Sequence, residues 1–260
     1  MTNIVRDIEF WRLCAGYVFI LLLIGFVKWR GLKREKRIII STARMTIQLV
    51  LVGYILTYIF KEPNPYLISL IVLFMLTFAI FNTFKQVAKT LTKKLKKIIA
   101  LSMVAGSLIT LVYFNFVVIH FQPWYEPQYL IPIAGMIIGN SMTGITLGVK
   151  NLLDGIHRER NLIEGALMLG ATPEVATKSV VNSAFDSAIL PTINNMVGMG
   201  IVFLPGMMTG QILAGISPLI AIEYQIAILL GITGSVALTI MIFTHYGYKT
   251  FFNERDQFEI

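Results

Sequence analysis

An all-α, polytopic membrane bundle of about seven transmembrane helices is the fold class that this sequence predicts, and three observations predict it. The chain of 260 residues is 56% hydrophobic and only 14% charged, whereas soluble domains are about 45–50% apolar and about a quarter charged. Its apolar residues fall in runs of 17 to 23, each able to cross a hydrocarbon core of about 30 Å at about 1.5 Å per residue. Its Lys and Arg residues are confined almost entirely to alternate connections between those runs. A mean hydropathy of +0.73 agrees with lipid as the surrounding medium.

Taken in order, the spans are expected near Phe10 to Val27, Ile38 to Phe60, Leu67 to Phe84, Ile98 to Ile119, Tyr129 to Val149, Ala188 to Leu204 and Ile222 to Phe243. The first run is read as an anchor and not as a cleaved signal. Arg6 is offset by Asp7 and Glu9, no small-residue cleavage site follows, and the positive cluster comes after the run. The connection 28–37 carries six Lys or Arg, 85–97 another six (Lys85, Lys89, Lys93, Lys94, Lys96, Lys97), 150–187 four, and the tail Lys249 and Arg255. The other side holds Arg6 and Lys61, with Arg12 and Arg44 inside spans. Because cytoplasmic loops hold the excess of Lys and Arg, the N-terminus is expected outside and the C-terminus inside, in a multi-pass protein of the cell membrane.

The net charge of +8 is thus read as a topology signal, and nucleic acid is excluded as a partner. One cysteine, Cys14, precludes an intrachain disulfide or a thiol metal cluster. His120, His157 and His245 are too far apart in sequence for metal-ligand spacing and are read as loop or interface residues. No metal ligand set is legible.

The chain is expected to form one transmembrane domain, 1–260, whose longest cytoplasmic segment is about 150–187. That segment contains a helical pattern from about His157 to Leu169, then Gly170, which tolerates a left-handed backbone, Thr172 as a helix cap and Pro173 at the next helix's first position. A second short pattern runs from Pro173 to about Asn182. The string Glu164-Gly165-Ala166-Leu167-Met168-Leu169-Gly170-Ala171-Thr172-Pro173 resembles the coupling-helix motif of ABC permeases, Glu-Ala-Ala-x-x-x-Gly, and departs from it at Gly165. The resemblance implies that Glu164, Gly165, Ala166, Gly170, Ala171, Thr172 and Pro173 dock on an ATPase. Physically, closure of a soluble motor must pass to membrane helices through a short rigid element, and small residues there permit close approach. An amphipathic linker lying on headgroups is the alternative, disfavoured by the few basic residues of 161–182. Gly165 to Gly170 has P-loop glycine spacing but lacks the phosphate-binding lysine, and GxxxxGK[ST] occurs nowhere else. The chain itself is therefore expected to bind no cofactor and to be no enzyme, with ATP and Mg on a partner subunit.

Over nearly its whole length the chain is similar to the FetB-type iron-export permeases, whose plant relatives act in aluminium tolerance. Ala43 to Leu49, Ile131 to Met142 and Pro205 to Leu213 carry that resemblance. It implies a homodimer with two copies of a FetA-type ATPase, and export of iron or a related metal.

Candidate pathway residues follow from polar groups placed in apolar runs. Arg44 and Gln48 share a helix face, and an Arg in the membrane costs about 2.5–3.5 kcal/mol, so it either lines a path or snorkels to the interface. Gly135, Gly139, Gly144 and Gly148 suit close helix packing, while Asn140, Ser141 and Thr143 between them, and Asn194 and Asn195 in the sixth span, either line a cavity or bond between helices. Pro205 to Pro218 is too short to span and is expected to be re-entrant. Met196, Met199, Met207 and Met208 offer thioethers, which fill gaps or bind soft cations, and Met207 and Met208 are taken as path candidates. Glu126, Glu223 and His120 stand near outer ends. The rival readings are an ABC permease for a nucleotide sugar or lipid-like compound, and a gradient-driven carrier, which would show intramembrane Asp or Glu where none is read here.

Overall fold

A computed structural model describes residues 8–87 and 91–258; Arg6, Asp7 and Lys89 lie outside the described residues. The backbone divides into two units, residues up to Pro63 and residues from Asn64 onward.

In the first unit, α1 (Phe10–Gly16) and α2 (Val18–Trp29) form one nearly continuous apolar rod, and α3 (Glu35–Lys61) follows. Gly31 and Lys33, both at positive φ, turn the chain between α2 and α3. The Tyr17 hydroxyl meets that of Thr46 at 2.6 Å, tying the junction of α1 and α2 to α3.

The second unit begins with α4 (Pro65–Val87), α5 (Lys93–Tyr113), a π-helical turn (Phe114–Ile119) and the long α6 (Pro127–Arg158). It continues through α7 (Arg160–Met168), α8 (Pro173–Gly198), α9 (Gly206–Leu213) and α10 (Pro218–Gly247), which ends in a 3-10 turn (Tyr248–Phe251). Entry to these helices is written in side chains that satisfy the free amides of a first turn. Asn64 Oδ1 accepts from the amides of Tyr66 and Leu67, Thr92 Oγ1 from Leu95, and Thr172 Oγ1 from Val175. Proline occupies the first turn of α6, α8 and α10, where its missing N–H costs nothing. Among the described residues there is no β-strand.

Among the described residues, six helical segments are long and apolar enough to cross a membrane: Phe10–Trp29, Glu35–Lys61, Pro65–Val87, Lys93–Ile119, Pro127–Arg158 and Pro218–Phe251. The sixth expected span falls on α8, which is not among these six and differs in extent. Expected from Ala188 to Leu204, the helix instead starts fifteen residues earlier at Pro173 and stops at Gly198. Asn182, Ser183, Asp186 and Ser187 interrupt the apolar run, which hid its first half from a hydropathy reading. Segment 150–187 accordingly comprises the last turns of α6, all of α7 and the first half of α8. The connection after α8 holds α9, only eight residues long, whose Met208 is buried.

The core of this unit is α6, wedged among α4, α5, α8 and α10. Its glycines set the spacing. A Cβ on Gly144 would sit 2.8 Å from Val236 Cγ1 and 3.2 Å from the Ala188 carbonyl, and one on Gly148 would strike Ile240 and lie 3.3 Å from the Ala184 carbonyl. Gly155 is closed by Val180, and Gly106 of α5 lies against the Thr239 backbone of α10. Close approach through Gly144 and Gly148 is as expected, whereas Gly135 faces only the flexible end of Met75 and Gly139 open space.

Replacing Gly106 with valine therefore forces backbone apart and should cost about 1–3 kcal/mol, read as a clear drop in the thermal midpoint of the detergent-purified protein, while Gly139→Ala should leave it unchanged.

Candidate functional site

The ends of the second unit differ chemically. One end gathers Lys94, Lys97 and Lys249 about a shared groove where α5 begins and α10 ends. The other bears an aromatic cluster in which Tyr129 stacks on Phe121 at 4.8 Å and on Tyr224 at 6.0 Å, beside Trp124 and Tyr125. Lysines and aromatics in these places are the usual anchors at the two faces of a bilayer.

At the lysine-bearing end, α7, the turn 169–172 and the start of α8 project as a helix-turn-helix. Gly170 takes φ +91°, a left-handed conformation that ends α7, and its amide donates to the Leu167 carbonyl at 3.0 Å. Arg160 Nε reaches Glu164 Oε1 at 2.9 Å, and the Arg160 guanidinium lies 5.5 Å from the Phe258 ring, so the C-terminal tail braces the base of α7. The tip itself is bare and apolar: Met168 is 86% and Leu169 92% exposed, with Leu162 and Val175 also exposed. Gly165 has open space where a side chain would begin. The segment Glu164 to Pro173 is thus one compact, capped element.

The polar residues expected to line a path separate into two groups. Ser141 is fully buried and shares a 2.7 Å hydrogen bond with Ser235, which donates to the Gly106 carbonyl at 3.3 Å, linking α6, α10 and α5. Thr143 and Asn140 stand on the outward face of α6, each bonded to its own helix at the carbonyls of Gly139 and Met136. Asn194 and Asn195 are exposed on α8. In the first unit, Arg44 and Gln48 are exposed on α3, one turn apart.

Sequence reasoning missed a polar connection between α6 and α8. Asn151 Nδ2 donates to Ser187 Oγ at 2.8 Å, Ser183 Oγ donates to Asn151 Oδ1 at 3.1 Å, and Ser187 Oγ donates to the Ser183 carbonyl at 2.8 Å. Asp186 projects from the same stretch of α8, exposed and in no ion pair among the described residues. With the span read as starting at Ala188, the first half of α8, Asp186 included, falls in the connection before it. The signal available in the sequence was Val180, Ala184 and Ala188, small apolar residues four apart across the polar stretch.

Toward the aromatic end, Met196, Met199, Met208 and Gln225 line a cavity of about 450 Å³. Gln225 Nε2 approaches Met199 Sδ at 3.7 Å and Thr233 Oγ1 approaches Met196 Sδ at 3.6 Å, while Gln225 Oε1 is buried with no partner among the described residues. Met207 does not line this cavity. No group of three or more His, Cys, Asp or Glu able to hold a metal ion occurs among the described residues.

Apolar helices of spanning length, anchors of opposite character at the two ends and a polar face between α6 and α8 define a multi-pass membrane protein. Residues 10–252 match the family described as UPF0014, an uncharacterised protein family, and the chain belongs to it. It is 37% identical to a UPF0014 membrane protein of Synechocystis, covering 90% of each chain. It is 36% identical to the protein ALUMINUM SENSITIVE 3 of Arabidopsis thaliana, over 94% of this chain and 88% of that one. It is also 36% identical to the probable iron export permease protein FetB of Escherichia coli, over 86% of this chain and 84% of the other. No solved structure matches it.

Thr172→Ala removes the cap of α8, worth about 1 kcal/mol, and should speed hydrogen exchange at the Val175 amide roughly fivefold with little change elsewhere.

Proposed function

We propose that this chain is the membrane-spanning permease subunit of an ABC transporter, which exports iron or a related metal species with ATP hydrolysed by a separate FetA-type subunit. Two copies form the pathway, and each offers one docking tip to one ATPase. The tip at Glu164 to Pro173 carries the reading. A surface on which Met168 and Leu169 stand almost wholly in solvent is disfavoured unless a partner covers it, and the short capped α7 is stiff enough to transmit a push to α6 and α8, between which it is strung. The lysine-bearing end, where the tip projects, is then cytoplasmic, with the N-terminus outside. Metal as the substrate class, and outward transport, are supported by the name of the Escherichia coli relative. The chain itself performs no catalysis in this scheme, and ATP and Mg belong to the partner.

One observation favours a second reading, a gradient-driven carrier: Asp186 is an exposed carboxylate midway along α8, and such proteins use carboxylates within the membrane. The two readings part on the ATPase. Tagged wild-type protein in nanodiscs should retain a FetA-type ATPase stoichiometrically, and Met168→Asp with Leu169→Asp should lower retention at least tenfold while leaving the size-exclusion profile unchanged. If the wild type retains no ATPase, the ABC reading falls and the carrier reading stands.

A further inference from the structure

The groove that Lys94, Lys97 and Lys249 share is built from two elements far apart in sequence, the start of α5 and the turn after α10. Ile98, Leu101, Tyr246 and Thr250 complete its lining, and its volume is about 430 Å³. All three lysines are exposed, no carboxylate lines the groove, and none of the three is in an ion pair among the described residues. Lys249 also borders a second groove with Glu174 and Asp256, yet it pairs with neither; its Nζ lies 5.8 Å from the centre of the Tyr246 ring and 5.9 Å from that of Tyr248. The first turn of α5 contains no acidic residue, so the positive end of the helix dipole adds to the same field. Thr250 Oγ1 donates to the Gly247 carbonyl at 2.8 Å, which leaves the ammonium groups as the groove's free side-chain donors.

Below this cationic rim the floor is apolar. Leu101 and Tyr246 stand about half exposed beside the lysine stems. On α5 the charge stops at Lys97, and no Asp, Glu, Lys or Arg follows as far as Ile119; on α10 none lies between Glu223 and Lys249. The groove therefore sits where both helices pass from charged ends into uncharged runs, at the edge of the hydrocarbon. The seam between α5 and α10 opens again farther along, as a groove of about 660 Å³ that Ile109, Tyr113, Leu230 and Leu238 help to line. Ile98 and Ile109 are eleven residues apart, hence on one face of α5 and about 16 Å apart along it. That is close to the thickness of one leaflet, about 15 Å.

We propose that this groove binds an anionic phospholipid, its phosphodiester held between Lys94, Lys97 and Lys249 and one acyl chain laid along Ile98 and Leu101 toward Ile109. Charge complementarity and the change from cationic rim to apolar floor select that occupant. A soluble phosphate leaves the floor bare, and a zwitterionic lipid brings no net charge to answer three unpaired lysines. Basic pockets between membrane helices hold anionic headgroups for the same reason. Because two of the lysines belong to α5 and the third follows α10, a bound lipid ties together the ends of two helices that already meet at Gly106 and Thr239. The site does not depend on the permease reading, which supplies only the name of the leaflet, the cytoplasmic one.

Native mass spectrometry of the detergent-purified full chain, titrated with dioleoyl phosphatidylglycerol or dioleoyl phosphatidylcholine, tests it. The wild type should bind the phosphatidylglycerol at least tenfold more tightly, and Lys94→Gln with Lys97→Gln and Lys249→Gln should bring the two lipids to equal affinity. Lys33→Gln with Lys36→Gln and Arg37→Gln removes the same charge from another basic connection and should leave the preference within twofold of the wild type. Glycerol 3-phosphate in large excess, a headgroup without chains, should not displace the lipid. In a Cys14→Ser background, Leu101→Cys should form no disulfide between chains on oxidation. The proposal is overturned if the wild type shows no preference, if both triple variants lose it alike, if glycerol 3-phosphate displaces the lipid, or if Leu101→Cys cross-links to a second copy, which would make the seam an interface between chains. A wild type that retains its ATPase while failing these tests leaves the permease reading standing, whereas one that passes them but retains no ATPase overturns only that reading.

Discussion

Backbone approach between α6 and its neighbours is the constraint on which the rest of the second unit depends. In lipid, apolar side chains gain little by leaving one hydrocarbon surrounding for another, so helices are held by close van der Waals contact and by hydrogen bonds between them. Gly144, Gly148 and Gly155 remove the side chains that would keep α8 and α10 away, and Gly106 does the same between α5 and α10. The Ser141 to Ser235 bond lies within this tight seam. Once α6 and α8 are this close, Asn151 reaches Ser183 and Ser187, so the packing that stabilises the bundle also assembles its polar face.

That face and the exposed tip at 164–173 lie on the same pair of helices. The tip is α7 and its turn, strung between the end of α6 and the start of α8. A displacement of the tip must therefore move α6 or α8, and the polar connection between them lies only a few turns away. Coupling over so short a distance asks for a rigid connection rather than a long relay, and the caps at Thr172 and Gly170 together with the brace from Phe258 onto Arg160 supply one.

The donor chemistry along the bundle changes with depth. Oxygen donors occupy the region around Asp186, whereas thioethers and the buried Gln225 amide line the cavity toward the aromatic end.

Much of the architecture was legible because lipid imposes a simple rule: long apolar runs, interrupted by charge, report helices directly. The runs predicted each of the six apolar spans; Gly170, Thr172 and Pro173 predicted the turn after α7; and Gly144 and Gly148 predicted close packing. The sequence could not place Asp186, because hydropathy measures the average surroundings of a window and not which face of a helix is buried. Only the packing of Val180, Ala184 and Ala188 on the α6 glycines reveals that α8 continues through its polar stretch, and it brings Ser183 and Ser187 against Asn151. Likewise, Ser141 and Asn140 look alike as neighbours in sequence, yet one residue of helical rotation sends Ser141 into the seam with Ser235 and Asn140 outward. Composition and spacing determined that there would be membrane helices and a capped helix-turn-helix after α6, whereas the rotation and register of α6 against α8, set by contacts between residues distant in sequence, decided which polar groups could meet.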